Sequence, residues 1–427
     1  MTEHHEGESA ERLRILFVTA DRFPPFRPAA KAIFAEELPR RGHGVDWLIQ
    51  GDSPASGAGP RAFNGGTAYV AYNNGGTSRW QRGLRHWESF KNDLKIVALL
   101  RRRRYSLIQV KDKYLGALIA IVAGKLFGVP VLHWLAYPHA EHDLYAAAQG
   151  FARYPLLYVV RARLQKWFLY RIIMRNARHV FVQSEQMQHD VAREGIPWNK
   201  MTPVPSSVNL ADLAADAPPP PKASGEQWLV YLGTLTRERE VELLVRALRD
   251  VVDEFPNARL LLVGCGHMPG DEELLKDEAR RLGVAERVMI TGWRPMREAW
   301  SYVRAADVCL SPYPPVPILR STSPTKLIEY LAFAKPVVAN DHPEQSLVVE
   351  QSGGGVICEW SEHGFARAIV RLLRDPDEAA RMGAAGRRFV EQHRTHTKMT
   401  DVVEQIYRRI AAAPAAELAI APERVGE

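Results

Sequence analysis

Asp216-Ala-Pro-Pro-Pro-Pro-Lys-Ala-Ser-Gly225 divides this 427-residue chain. Four consecutive prolines form a semi-rigid extended spacer that no domain core accommodates. Working back from the spacer, short unalternating apolar runs alternate with helical stretches. The runs are Arg14–Ala20, Val45–Ile49, Ala68–Ala71, Ser106–Val110, Val129–Trp134 and Val180–Gln183, and Leu115–Phe127 is the plainest helix between two of them. Working forward, the same alternation restarts with better regularity at Trp228–Gly233, Arg259–Gly264, Val288–Gly292, Asp307–Ser311, Pro336–Asn340 and Gly355–Glu359. Continuous β-branched runs are the signature of strands buried on both faces, and their alternation with helices indicates βαβ units and a parallel sheet. A chain of 48.0 kDa exceeds one comfortable core. The expectation is therefore an α/β protein of two Rossmann-like domains facing each other across a cleft.

The expected organisation runs as follows: a flexible tail over 1–11; an N-terminal domain over 12–215; the linker, 216–226; a C-terminal domain over 227–395. A helix over 396–412, crossing back to the N-terminal domain, and a disordered tail over 413–427 complete it. The N-terminus is polar and acidic, with no apolar run behind a basic start, so it does not read as a signal peptide. The most apolar stretch, 115–135, is interrupted by Lys125 and Pro130 and does not read as a membrane span. Cys265, Cys309 and Cys358 are too few and too scattered for a disulfide framework or a metal cluster, and a reducing cytoplasm suits them.

The net charge of +7 is unevenly held. Up to Pro220 there are 29 Lys and Arg against 19 Asp and Glu, and within Arg79–Arg178 the ratio is 19 to 5. From Leu144 to Ser184 no acidic residue occurs, while Leu157, Val160, Leu164, Phe168 and Ile172 recur at helical spacing among arginines. A basic amphipathic stretch of this kind suits the anionic inner face of a plasma membrane, and it also suits a scaffold helix with its apolar side on a sheet. No nucleic-acid reader module accompanies the charge, so no nucleic-acid partner is expected.

The segment Arg320-Ser-Thr-Ser-Pro-Thr-Lys-Leu-Ile-Glu-Tyr-Leu-Ala-Phe-Ala-Lys-Pro-Val-Val-Ala339 carries the chemistry. Ser323 before Pro324 predicts a helix N-cap with proline at the first helical position. The free N–H groups near Thr325 would take a diphosphate, Lys326 would add positive charge, and Glu329 projects from the same face one turn on. By spacing alone, an exposed Lys–Glu pair on a capped helix is the blander account.

This segment resembles the signature of the retaining, family-4 glycosyltransferases with the GT-B fold, in which two glutamates flank a loop and a helix leading into "KPVVA". Tyr231–Leu244 is similar to the family's opening strand and phosphate-binding turn. Arg259–Gly266, Val288–Gly292, Ala305–Pro312, Arg40–Val45 and Phe181–Ser184 are similar to further blocks in order. The resemblance implies that Glu329 holds the ribose of a nucleotide. It implies that Arg239, Lys326, Ser323, Thr325 and the turn at Gly233 meet the diphosphate, with Arg237 standing in for the phosphate-binding arginine that Thr234 replaces. Gly292 and Trp293 would border the base. On the acceptor side, His139 and Glu141 would supply a base or orient a hydroxyl. No metal or other cofactor is implied.

The partners expected are a nucleotide-sugar donor, UDP- or GDP-linked, a glycan or polyprenyl-diphosphate-linked acceptor, and an anionic membrane surface met by the basic N-terminal half. Three departures from the pattern are Ser321, where the family has its first glutamate, Thr234, where it has an arginine, and Pro28-Ala-Ala-Lys31, where it has a glycine pair. Two alternatives stay open: a sugar-nucleotide epimerase on the same fold, and, suggested by Ser321 and Thr234, a non-catalytic subunit of a polysaccharide-assembly complex.

Overall fold

The computed structural model describes residues 12–150, 154–214, 217–218, 220–268 and 270–413. The tail expected over 1–11, the tail expected over 413–427 except its first residue, and parts of the Pro-rich linker lie outside the described residues. The chain forms two compact units. One comprises residues up to Val182, with Gln188–Val204 and the chain from Thr400; the other comprises Gln183–Met187 and Pro205–Met399.

The first unit is built on eight strands: β1 (Arg14–Phe23), β2 (Gly44–Gly51), β3 (Gly59–Phe63), β4 (Gly66–Ala71), β5 (Leu107–Lys111), β6 (Val131–Leu135), β7 (His179–Val182) and β8 (Met201–Pro203). Their order is β3-β4-β2-β1-β5-β6-β7-β8, parallel except where the hairpin strand β3 runs against β4. The central strands β5 and β6 are buried at every position, the polar Gln109, Lys111 and His133 included. Four helices matter below: α1 (Arg79–Arg102), α2 (Tyr114–Phe127), α3 (His139–Ala148) and α4 (Pro155–Trp167). Ile96, Leu99 and Leu100 of α1 and Ala117, Ala120 and Ile121 of α2 pack with Leu16, Val18, Ile108 and Val110 into one core on a single face of the sheet. β3, β8 and α1 lie in stretches whose composition reads as loop or carries no clear period. β3 is a short, half-exposed edge and β8 has three residues, so neither carries a buried apolar run.

The second unit holds β9 (Gln227–Leu232), β10 (Ala258–Val263), β11 (Val288–Ile290), β12 (Val308–Ser311), β13 (Val337–Asn340) and β14 (Gly355–Cys358). All are parallel, in the order β11-β10-β9-β12-β13-β14. Counted from its own first strand this is 3-2-1-4-5-6, the doubly wound arrangement whose ligand crevice opens where the order reverses. The reversal falls between β9 and β12. Helices α5 (Glu242–Glu254), α6 (Met296–Ala305), α7 (Thr325–Ala332) and α8 (Pro343–Ser352) flank the sheet. The last helix, α9 (His396–Ala412), belongs to the first unit from Thr400 onward. There the Tyr407 hydroxyl donates to Gln109 Oε1 at 2.8 Å, and Glu404 accepts from Arg41 at 2.6 Å.

Candidate active site

At the order reversal of the second unit, Gly233 follows β9 and Gly264 follows the neighbouring β10. A Cβ on Gly264 would sit 1.9 Å from the Gly233 carbonyl oxygen, so the two turns approach to a distance that only glycine allows. Gly233 N–H donates to Val263 O and Leu235 N–H to Cys265 O, both at 3.0 Å, so the turns are laced together. Tyr330, on the buried side of α7, fixes the helix to the same strand end: its hydroxyl accepts from Leu232 N–H at 2.7 Å.

Lys326 then stands over the end of β9. Its ammonium lies 3.9 Å from the centroid of the Tyr231 ring and 5.7 Å from that of Tyr313, which follows β12. Arg239, in the turn before α5, lies 5.4 Å from the same Tyr313 ring. Asn340 at the end of β13 clamps Tyr313 from both sides, accepting from its N–H at 2.7 Å and donating to its carbonyl at 2.8 Å. Among the described residues neither Lys326 nor Arg239 makes an ion pair within 4 Å. Burial, and after it repulsion by Arg239, holds the Lys326 ammonium well below its ordinary value, with Glu329 opposing. Two cations held together without a carboxylate partner, beside the first turn of α7, form a site that gains most from a multiply charged anion.

One turn on, burial pushes the Glu329 carboxyl up to about 7. Lys326 pulls the other way, as does the indole N–H of Trp300, which lies near the carboxylate without forming a well-shaped hydrogen bond.

The N-cap expectation for Ser323 is corrected. The N-cap position of α7 is Pro324, and no side chain caps it. The Ser323 hydroxyl accepts from Ser206 N–H at 2.9 Å and donates to the buried carboxylate of Glu344 at 3.2 Å. Glu344 pairs with the equally buried Arg394 at 3.1 Å, so this serine is drawn into an interior network below the helix. Thr325 shares a 3.2 Å contact with the Ser206 hydroxyl, and the Ser321 carbonyl accepts from Ser184 Oγ at 2.7 Å. These bonds strap the loop that delivers Lys326.

The remaining expected donor residues are dispersed. Arg237 reaches toward Asp271 at 3.8 Å, against the turn after β10. Gly292, left-handed at φ 68°, and the exposed Trp293 lie beyond β11 at the edge of the sheet.

The first unit has its own order reversal, between β1 and β5, and the sequence reading missed most of what gathers there. Lys111 closes β5 and pairs with Asp21 at 3.0 Å, both buried; Arg27 meets Asp21 at 3.2 Å. Asp112 follows with φ 49°. Its Oδ1 accepts from Ala136 N–H at 3.0 Å, while its buried Oδ2 has no hydrogen-bond partner. Burial raises the Asp112 pKa, with Lys111 opposing. The signal available was Lys111-Asp112, two charges directly after an apolar strand. His139 is the first residue of α3, stacked edge-on against Tyr137 at 5.0 Å. It is exposed at its rim, yet the protein behind it lowers its pKa, with Asp112 opposing. Glu141 is less free than expected: Oε1 accepts from the Tyr170 hydroxyl at 3.0 Å and lies 3.8 Å from Lys166, although Oε2 is buried without a hydrogen bond.

Comparison with known proteins places both halves. Residues 226–375 match the glycosyl transferases group 1, and residues 33–206 match the glycosyl transferase 4-like domain. The alpha-monoglucosyldiacylglycerol synthase of Streptococcus pneumoniae is 24% identical over 307 residues, which is 68% of this chain and 64% of that protein. A D-inositol 3-phosphate glycosyltransferase of Segniliparus rotundus is 26% identical over 208 residues, 48% of this chain and 44% of its own length. The chain therefore spans less than two thirds of either relative. Among solved structures, the sucrose-phosphate synthase of Thermosynechococcus elongatus matches with a TM-score of 0.68 at 19% identity, covering 94% of this chain and all of that one. Anabaena HepE in complex with UDP matches with a TM-score of 0.65 at 15% identity, covering 92% and 99%. These structural likenesses establish the fold.

Proposed function

The chain belongs to the group 1 glycosyl transferases, with a glycosyl transferase 4-like domain in its first half, and on that premise we propose that it transfers a sugar, with retention at the anomeric carbon, from a UDP- or GDP-linked donor to a glycan or lipid-linked acceptor in cell-surface polysaccharide synthesis. The observation that carries the reading is the uncompensated pair Lys326 and Arg239 at the end of β9. A diphosphate leaving group needs fixed positive charge where negative charge accumulates, and a desolvated lysine, a guanidinium fork and a helix start supply it together. Glu329 accepts from the ribose hydroxyls. Gly233 lets the backbone approach the phosphates, Thr325 lies at the start of the helix beside them, and Trp293 offers a face to the base. The HepE structure holding UDP and the glucosyldiacylglycerol synthase support a nucleotide donor and a lipid acceptor for this chain. In the first unit, Asp112 with His139 receives and orients the acceptor hydroxyl, a role that Glu141, tied to Tyr170, fills less well. The work takes place at the inner face of the plasma membrane.

A second reading, a non-catalytic subunit, is favoured by Ser321 and Thr234 alone. Thermal shift with UDP-, GDP- and ADP-sugars, followed by nucleotide release in the presence of membrane extract, decides between them. The wild type is stabilised by one donor class and releases nucleotide only with an acceptor, while Glu329→Ala loses both. Stabilisation by none of the donors overturns the reading; conversion of the donor with no acceptor present points to an epimerase.

A further inference from the structure

Large apolar side chains stand in water unevenly on this protein. Of the twenty-one large hydrophobic residues exposed among the described residues, thirteen lie between Trp80 and Trp167. They are also in register. On α1 the exposed positions are Trp80, Leu84, Trp87 and Leu94, spaced by four, three and seven residues, which is one continuous helical stripe. On α4 they are Leu157, Val160, Leu164 and Trp167, a second stripe of the same period. Val122 and Leu126 add a third on α2, Leu126 being 70% exposed and Trp80 76%.

α1 and α2 adjoin, and α4 is tied to them through the chain on either side of it. The inner sides of α1 and α2 share the core on one face of the sheet. Arg79, at the start of α1, donates to the Tyr154 hydroxyl just before α4 at 3.0 Å, and Lys125 of α2 donates to Asn176 at 2.6 Å. Isolated exposed leucines are ordinary, but aligned stripes on adjoining helices mark a binding surface.

Charge says what covers it. α1 carries seven Lys and Arg and α4 three, against two acidic residues in all three helices. One of those, Asp93, is buried against Lys113, and the other, Glu88, is paired with Lys91. A second copy docking by the same face would set arginine against arginine. A nucleic acid would satisfy the charge and leave the leucines in water. An interface with a low-dielectric interior and an anionic rim satisfies both: tryptophans at headgroup depth, aliphatic chains just below, guanidinium groups among phosphates.

We propose that the exposed apolar stripes of α1, α2 and α4 together form a monotopic docking surface for an anionic lipid bilayer, with Trp80, Trp87 and Trp167 inserted at the headgroup boundary. The proposal deepens the lipid-linked-acceptor reading and rests on it for the purpose of docking, while its test does not depend on turnover.

Full-length protein is sedimented with phosphatidylcholine vesicles, with and without phosphatidylglycerol, across a salt series, and tryptophan emission is recorded on the bound fraction. Binding requires the anionic lipid, weakens with salt and shifts emission to the blue. Arg82→Gln with Arg85→Gln loses affinity by about fivefold per charge removed, and Trp80→Ser with Trp87→Ser loses on the order of tenfold together with much of the blue shift. Thermal shift by the nucleotide-sugar donor is unchanged in both variants, which shows them folded and separates this proposal from the donor reading. Equal binding to neutral vesicles overturns it, as does anionic binding that ignores both variant pairs, or a wild-type dimer that the tryptophan pair dissociates.

Discussion

The two order reversals occupy the same place in two sheets of related topology, yet one is cationic and the other is balanced. Between β9 and β12, Lys326 and Arg239 face aromatic rings with no carboxylate in ion-pair range. Between β1 and β5, Lys111 and Arg27 are already engaged by Asp21, and Asp112 adds a carboxylate whose second oxygen has no hydrogen-bond partner. A cationic end attracts a polyanion and neutralises it. A balanced end with one spare acceptor receives a neutral hydroxyl. The fold offers the same opening twice, and the side chains following each central strand give the two openings different charge.

The contrast is testable, starting with its largest consequence. Asp112→Asn keeps the shape and removes the spare acceptor, so turnover falls by roughly 10²–10⁴-fold while donor affinity holds. Because burial holds this carboxyl above its ordinary 3.8, its charged form costs stability as pH rises, so Tm at neutral pH holds or increases in the variant. Loss of donor binding by this variant, measured by calorimetry, would erase the distinction between the two ends.

Next in size, Arg239→Ala and Lys326→Ala each weaken donor binding by roughly 10- to 100-fold, the worth of a charge-assisted hydrogen bond to phosphate. The same variants leave binding of an isolated acceptor analogue unchanged. An equal loss on both ligands would mean that the second unit is damaged as a whole.

The smallest effect is the pH dependence that Glu329 gives to donor binding. Its carboxyl is raised from 4.5 to about 7, so the neutral form is the one the fold prefers, and its contribution to stability declines as pH rises from near 4.5 through about 7. A carboxylate accepts two ribose hydroxyls better than a carboxylic acid does. Affinity for a nucleotide-sugar, whose phosphates do not titrate there, therefore rises a few-fold across about pH 7. Glu329→Gln flattens that profile; an unchanged profile in the variant would remove the ribose role.

How far the chain could be read without its structure differs between the halves. All six strands of the second sheet stand as apolar runs; in β9, β10, β12 and β13 this follows from burial on both faces, while the edge strands β11 and β14 are only partly buried. The same held for β1, β2, β5, β6 and β7. It failed for β3, β8 and α1, where the pattern is diluted by polar or surface positions. The exposed side of α1, with Trp80 and Trp87 outward, blurs the very periodicity by which a helix is recognised.

Within the site, spacing put Lys326 and Glu329 on one face of a short helix, and the family resemblance added Arg239 and gave Glu329 its role. Neither spacing nor type showed that Lys326 rests on Tyr231 and Tyr313, that Ser323 turns inward to Glu344 instead of capping α7, or that Asp21, Lys111 and Asp112 meet. Those contacts join positions between about 13 and 95 apart in the chain. Local order along a chain is set by neighbours within a turn or a strand, and it can be read there. The protonation, partnership and exposure of a side chain depend on what the folded chain brings against it from a distance, and only the packed sheets settle that.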